Sequence, residues 1–254
     1  PDNKYPKFTL GQWTYNKELF KGEMSTFDFI RKAVEADFEG VEYVNQFFMD
    51  QVQNLDFLDS LKNTAKKYNI KNTLLIIDAE GNLGASDSIQ RVNAIENHKK
   101  WIDVAHYLGC HSIRTHCRGP EDVDPDEALK WASESYNMLL EYAIQAKVSV
   151  VIENHGGVSN DADWMVKLYN TVDTRYFGSY PDWRRPSDTF NNYEYLEKML
   201  PWADGMSYRN QPSEELTAKM IKLCRDSGYK GWYGIESSGR EAIVQGRDLL
   251  KKYL

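Results

Sequence analysis

Apolar residues along this chain gather into short runs, and longer segments of helical spacing separate them. The runs are strand-sized: 8-FTLGQW-13, 40-GVEYVN-45, 72-NTLLIID-78, 112-SIRTHC-117, 149-SVVIEN-154, 177-FGSYPD-182, 205-GMSYRN-210 and 232-WYGIES-237. They recur about every thirty residues. Between them, 88-SIQRVNAIENHKKWIDVAHYLG-109 places Val92, Ile95, Trp101, Ile102, Val104, Ala105 and Leu108 on one broad apolar face, as a helix packed on one side requires. Gly109 then stands where a C-terminal cap belongs. Residues 125–147 open with Pro125 and acids and end at Lys147, and 214–228 ends with Arg225 and Gly228, which suits the start and end of helices. Gly40, Gly109 and Gly228 are each expected to close a helix just before a strand.

Strands alternating with helices imply parallel pairing through right-handed crossovers. Eight such units predict an α/β fold, a (β/α)8 TIM barrel in which residues 1–254 form a single domain. An open doubly wound sheet is the competitor. It would usually carry a glycine-rich phosphate turn after the first strand, whereas this one ends in 11-GQWTYNK-17. No nucleotide cofactor is therefore expected.

The chain has 254 residues, 41% hydrophobic and 27% charged, enough for a sizeable core. Its net charge of −7 lacks the basic excess of a general duplex-binding surface, so nucleic acid is not an expected partner. No apolar run is long enough to span a membrane. Cys110, Cys117 and Cys224 are odd in number and form no CxxC pair, so buried, inert thiols are expected rather than a disulfide framework. The chain starts at Pro1, which suggests a trimmed or processed N-terminus. The compartment, cytoplasmic or periplasmic, and assembly into a homo-oligomer stay open.

Barrel enzymes keep their chemistry at the C-terminal ends of the strands. In strand order those ends carry Gln12 and Trp13, Glu42 and Asn45, Asp78 and Glu80, Arg114 and His116, Glu153, Asn154 and His155, Asp182, Ser207 to Gln211, and Glu236 with Arg240 behind it. Any one acid is readily a helix cap or a surface ion pair. Several on half-buried ends need a cation, a proton or arginine partners. A divalent ion held by oxygen ligands is the economical solution for Glu153, Asp182 and Glu236. His98, His106 and His111 look structural, and His116 sits inside its strand.

At these residues the chain resembles the xylose-isomerase-like TIM-barrel superfamily, in particular its sugar phosphate isomerase/epimerase group. The likeness runs through 42-EYVNQFF-48, 77-IDAEGNLG-84, 109-GCHSIR-114, 152-IENHGG-157, 178-GSYPDW-183 and 234-GIE-236. The resemblance implies one divalent metal (Mn, Mg or Zn) on Glu153, Asp182 and Glu236. The usual histidine of the seventh strand is missing, and its place falls on Ser207 or Gln211. Arg184 and Arg185 follow Asp182, where relatives commonly show a small turn; they would compete with a cation or clamp a phosphate or carboxylate.

The implied activity is isomerisation or epimerisation of a small carbohydrate, a sugar or sugar phosphate, through an ene-diolate. The metal polarises the carbonyl while Glu153 and Glu236 exchange the proton. His155, His116, Arg184, Arg209 and Arg240 are candidates to bind substrate oxygens, and Trp13, Phe47 and Trp183 to wall a sugar face. The alternatives are a lyase, dehydratase or hydrolase of keto-sugars or inositol derivatives, or a non-catalytic carbohydrate-binding barrel with a decayed metal centre.

Overall fold

The computed structural model describes residues 7–119, 123–184, 187, 189–237 and 239–254. The apolar runs become strands β1 (Lys7–Gly11), β2 (Gly40–Val44), β3 (Lys71–Ile76), β4 (Ser112–Thr115), β5 (Ser149–Ile152), β6 (Phe177–Ser179), β7 (Asp182–Trp183), β8 (Met206–Tyr208) and β9 (Trp232–Ile235). They form one sheet in the order β6-β5-β4-β3-β2-β1-β9-β8-β7, and every pairing is parallel.

The sixth predicted strand is split. β6 pairs with β5, Ile152 facing Ser179, and β7 pairs with β8, Asp182 facing Ser207. Only Tyr180 and Pro181 lie between β6 and β7. The Tyr180 amide still donates to the Ile152 carbonyl at 2.8 Å, but the Pro181 carbonyl already accepts from Ser207 at 2.9 Å. Pro181 has no N–H to give to a ladder and restricts the residue before it. The sheet thus returns on itself through this one segment, and the predicted ring of eight strand positions is present.

The strands are wrapped by α1 (Asn16–Phe20), α2 (Thr26–Glu35), α3 (Leu55–Lys67), α4 (Ser88–Leu108), α5 (Pro125–Ala146), α6 (Ala162–Thr171), α7 (Asn192–Met199), α8 (Glu214–Asp226) and α9 (Arg240–Tyr253). Side chains cap many of their starts, as helix ends with unpaired N–H groups require. Ser25 and Asp28 form a reciprocal capping box on α2, and Asp87, Asp124, Asp161 and Ser213 cap α4, α5, α6 and α8. Gly109 closes α4 at φ +82° as expected, but Lys147 itself takes the left-handed position after α5 at φ +58°.

Gly40 does not close α2. Asp37 makes that left-handed turn at φ +58°, and Gly40 is the first residue of β2. Its role is steric, because a Cβ there would lie 2.8 Å from Thr73 Cγ2 and 2.9 Å from Thr9 Cγ2. Cys110, Cys117 and Cys224 are free and buried, and burial pushes each thiol up to about 12. That leaves them inert.

The main core lies between the barrel and its helices, built around residues such as Phe29, Leu61, Trp101, Tyr136, Leu168 and Met220. The barrel interior holds a much smaller apolar group, Val44, Leu74, Ile76, Val151 and Tyr180, with Trp13 and Phe47 against it. Trp183, expected to wall a sugar, is buried in the main core edge-on to Tyr208. Polar side chains take much of the rest of the interior. Glu42 is wholly buried there, accepting from the Thr9 hydroxyl and from Tyr180 Oη at 2.5 Å. Burial pushes its carboxyl up to about 7.

Candidate active site

A cavity of about 520 Å³ opens at the C-terminal ends of the strands. Trp13, Asp78, Arg114, His116, Arg118, Glu153, His155, Arg209 and Glu236 line it together with residues of the β3–α4 loop. Eight of the residues singled out from strand-end position therefore meet in one place, at the ends of β1, β3, β4, β5, β8 and β9.

The strand that reads VVIENHGG explains how they are placed. β5 is buried up to Ile152, and burial continues through Glu153 and Asn154 before His155 emerges at the surface. Asn154 turns away from the cavity. Its Nδ2 donates to the Asp182 carbonyl at 3.0 Å, and its Oδ1 accepts from the Asp182 amide at 2.7 Å. Asn45, just after β2, does the same to Asp78, at 3.0 and 2.9 Å. Each asparagine thus sets the height of an aspartate on the neighbouring strand. Gly157 then turns the chain at φ +58°, where a Cβ would come within 1.8 Å of the Arg118 carbonyl.

Two guanidinium groups organise the acids. Arg114 Nη1 donates to Asp78 Oδ1 at 2.9 Å, and its Nε lies 2.8 Å from Glu153 Oε2, off the hydrogen-bonding direction, as an ion pair. Arg209 Nε reaches both oxygens of Asp182, at 2.9 and 3.1 Å, and its Nη2 lies 2.9 Å from Glu236 Oε1. Each arginine serves two carboxylates, so the cluster carries more acid than base. Burial first, then the Glu153 charge, pushes Asp182 up to about 7 despite Arg209. Burial likewise pushes Glu236 up to about 7. Asp78 departs the other way. Burial opposes ionisation there, but the hydrogen bond from His116 and the Arg114 charge hold it well below the usual carboxylate range.

The histidines pair with these groups. His116 Nε2 lies 2.7 Å from Asp78 Oδ1, and burial, then Arg114, pulls its imidazole down. His155 stacks against His116 with ring centroids 4.6 Å apart. Its Nδ1 lies 3.0 Å from Arg118 Nη2. Arginine can only donate, so Nδ1 accepts and the proton sits on Nε2. Burial lowers the His155 pKa, which keeps the ring neutral.

Other candidates lie elsewhere. Gln211 does not reach the acids: its Nε2 donates to the Trp183 and Arg209 carbonyls at 2.7 and 2.8 Å, and its Oε1 accepts from Asn192. Arg184 donates to Asn160 Oδ1 at 3.1 Å and lies over the Phe190 ring, outside the cavity. Arg240 starts α9 on the outer layer and reaches toward the Glu35 carbonyl. Arg185 falls outside the described residues. Glu80 is tied to Trp101 Nε1 and Lys100 at 2.6 and 2.8 Å, a structural role. Asp182 is buried behind Arg209 rather than lining the cavity.

The residues present do not make the expected divalent site. Among the described residues no group of three or more His, Cys, Asp or Glu side chains is arranged to hold a metal ion. The physical reason is visible in the contacts: guanidinium groups already engage Glu153, Asp182 and Glu236, and β8 supplies Ser207 and Arg209 instead of an imidazole. Arg118 was not among the expected site residues, and Arg114 was noted at its strand end without a role. The signal for Arg114 was an arginine inside a wholly buried strand, which must pair with acids. Among the described residues no helix is long and apolar enough to cross a membrane.

Residues 30–205 match the family described as xylose isomerase-like TIM barrel. Among solved structures, a D-tagatose 3-epimerase-like protein superposes with a TM-score of 0.79 at 15% identity, covering 97% of this chain and 96% of that one. The 3-keto-D-glucoside 4-epimerase of E. coli gives 0.76 at 14% identity, over 98% and 100%. The probable 3-DHS dehydratase of Bacillus anthracis gives 0.71 at 18% identity, over 97% of each chain. A search of curated proteins finds no match. At these identities the likeness is one of fold.

Proposed function

The chain belongs to the xylose isomerase-like TIM barrel family, and on that footing we propose that it is an isomerase or epimerase of a small sugar, working by proton transfer beside a carbonyl. One observation carries this reading. Glu153 and Glu236, from different strands, line a single cavity and are each tied to a different arginine. A proton can thus leave a substrate carbon toward one carboxyl and return from the other.

Glu153, paired with Arg114, takes the C–H proton. The electron pair left on carbon forms the C=C bond of an ene-diolate, and the former carbonyl oxygen takes the negative charge. Glu236 then supplies a proton to the opposite face or to the neighbouring carbon. The Nε2–H of His155 donates to a sugar hydroxyl, and Trp13 offers an apolar wall. The sugar epimerases among the chain's structural neighbours and a cavity within the small-molecule range support a carbohydrate substrate.

The test is solvent exchange. Candidate ketoses are incubated with the protein in deuterated water, and C–H exchange is followed by NMR. Glu153→Gln and Glu236→Gln are expected to cut exchange by roughly 10²–10⁴-fold while the far-UV spectrum is kept. Exchange that survives both changes sinks the assignment. Loss of water to give an unsaturated ketone would assign a dehydratase instead.

A further inference from the structure

We propose that the Arg209 guanidinium is the resident cation of this centre, standing where a divalent ion is expected, and that the site works without metal. The inference rests on the proton-transfer reading for its chemistry but not for its test. Its ground is the bridging geometry. Arg209 spans Asp182 and Glu236, two of the three acids expected to ligate a metal, with contacts of 2.9 to 3.1 Å. The third, Glu153, is engaged by Arg114. A divalent ion would have to displace both arginines to collect the three carboxylates.

The strand supplies no substitute for the absent imidazole. Ser207, opposite Asp182 in the ladder, is a neutral hydroxyl and a poor ligand, and the Gln211 side chain is committed to the Trp183 and Arg209 carbonyls. Those same bonds fix the loop that carries Arg209. The arginine is built in, not draped over the acids.

The guanidinium can also do the ion's electrostatic work. It has five N–H donors, of which Asp182 and Glu236 engage two. The remainder are available where Arg209 lines the cavity. A cis-ene-diolate presents two oxygens in one plane, much as a carboxylate does, and a planar guanidinium pairs with that shape through parallel N–H bonds. Charge that develops on the carbonyl oxygen as Glu153 removes the proton is met by donors already in place.

The experiment follows Mn²⁺ by the EPR signal of the free ion. Wild type is expected to leave the signal unquenched at millimolar Mn²⁺, and its exchange reaction to survive dialysis against EDTA. Arg209→Gln, and Ser207→His combined with it, free Asp182 and Glu236 and are expected to take up Mn²⁺ on those two carboxylates, with the introduced imidazole as a further ligand in the double variant, while losing exchange. Arg209→Lys keeps the charge without the fork; it is expected to bind no Mn²⁺ and to exchange weakly, and serves if the glutamine variant does not fold. One equivalent of Mn²⁺ bound by wild type, or exchange lost on chelation and restored by the ion, overturns the proposal. So does failure of every Arg209 variant that removes the charge to take up Mn²⁺. If no ketose exchanges, the functional reading fails alone, and the EPR comparison still decides the cation.

Discussion

Asn154 holds Asp182 by both of its main-chain groups, carbonyl and amide, at 3.0 and 2.7 Å. β5 ends at Ile152. Past that point the asparagine amide, itself shaped like a peptide group, continues the ladder to the next strand. Asp182 therefore presents its carboxylate to Arg209 at a fixed height although β7 is only two residues long.

Removing that clamp leaves two buried main-chain groups without partners, each worth about 1–3 kcal/mol. Asn154→Ala is expected to lose roughly 2–5 kcal/mol by urea unfolding and to lower solvent exchange. Asn154→Ser, which restores one bond at most, should fall between. A stability within about 0.5 kcal/mol of wild type would show that the clamp does not hold β7.

Arg114 is the buried counter-charge for Asp78 and Glu153. Arg114→Gln strands two acids and is expected to cost about 3–5 kcal/mol, the penalty of leaving a buried charge unpaired. Arg114→Gln combined with Glu153→Gln should recover part of it. Chemical denaturation of the three variants forms a double-mutant cycle, and additive losses would deny the pairing.

Glu42 sets a pH dependence of stability. Its carboxyl stands at about 7 in the folded chain against an ordinary 4.5. The raised value favours the folded state fully below about pH 4.5, where the group is protonated in both states, and that contribution is lost as pH rises through 7. Glu42→Gln mimics the protonated form. Its stability relative to wild type is expected to climb by up to about 3 kcal/mol between pH 4.5 and pH 8. A flat difference across that range would mean that burial does not penalise the charge.

Arg240 and Trp13 separate the cavity from its surroundings. Arg240 is exposed at the start of α9, so Arg240→Ala should leave exchange kinetics within about twofold of wild type. Trp13 lines the cavity, and Trp13→Ala should raise KM for a ketose more than it changes kcat. Equal effects of the two changes would misplace the substrate.

Most of the architecture was legible because period alone carries it: thirty-residue spacing, helical faces and caps define a barrel before any contact is known. The convergence of the candidate residues was legible as well, since strand ends in such a barrel meet at one mouth, and Glu153, His155, Arg209 and Glu236 do line one cavity. What spacing hides is direction. Arg184, Arg240 and Gln211 lie near strand ends in sequence, yet they point to Asn160, to α2 and to the main chain. Trp183 is one residue past Asp182 and so faces the opposite side, into the core. The pairing of acids with Arg114 and Arg209 depends on neighbours across strands, which no single run of sequence displays.

The interruption at Tyr180 and Pro181 divides the charged groups of the candidate site into two blocks. Asp78, Arg114 and Glu153 belong to β3 through β5, and Asp182, Arg209 and Glu236 to β7 through β9. Glu153 and Glu236, the two carboxyls proposed to exchange a proton, thus sit on opposite sides of that joint, which a parallel bridge from Ser179 to Ala203 spans. Two contacts hold the joint itself: the Asn154 bridge to Asp182, and the Tyr180 hydroxyl moored to Glu42 on the far wall, so the two halves of the site are tied together through polar bonds rather than through a continuous sixth strand.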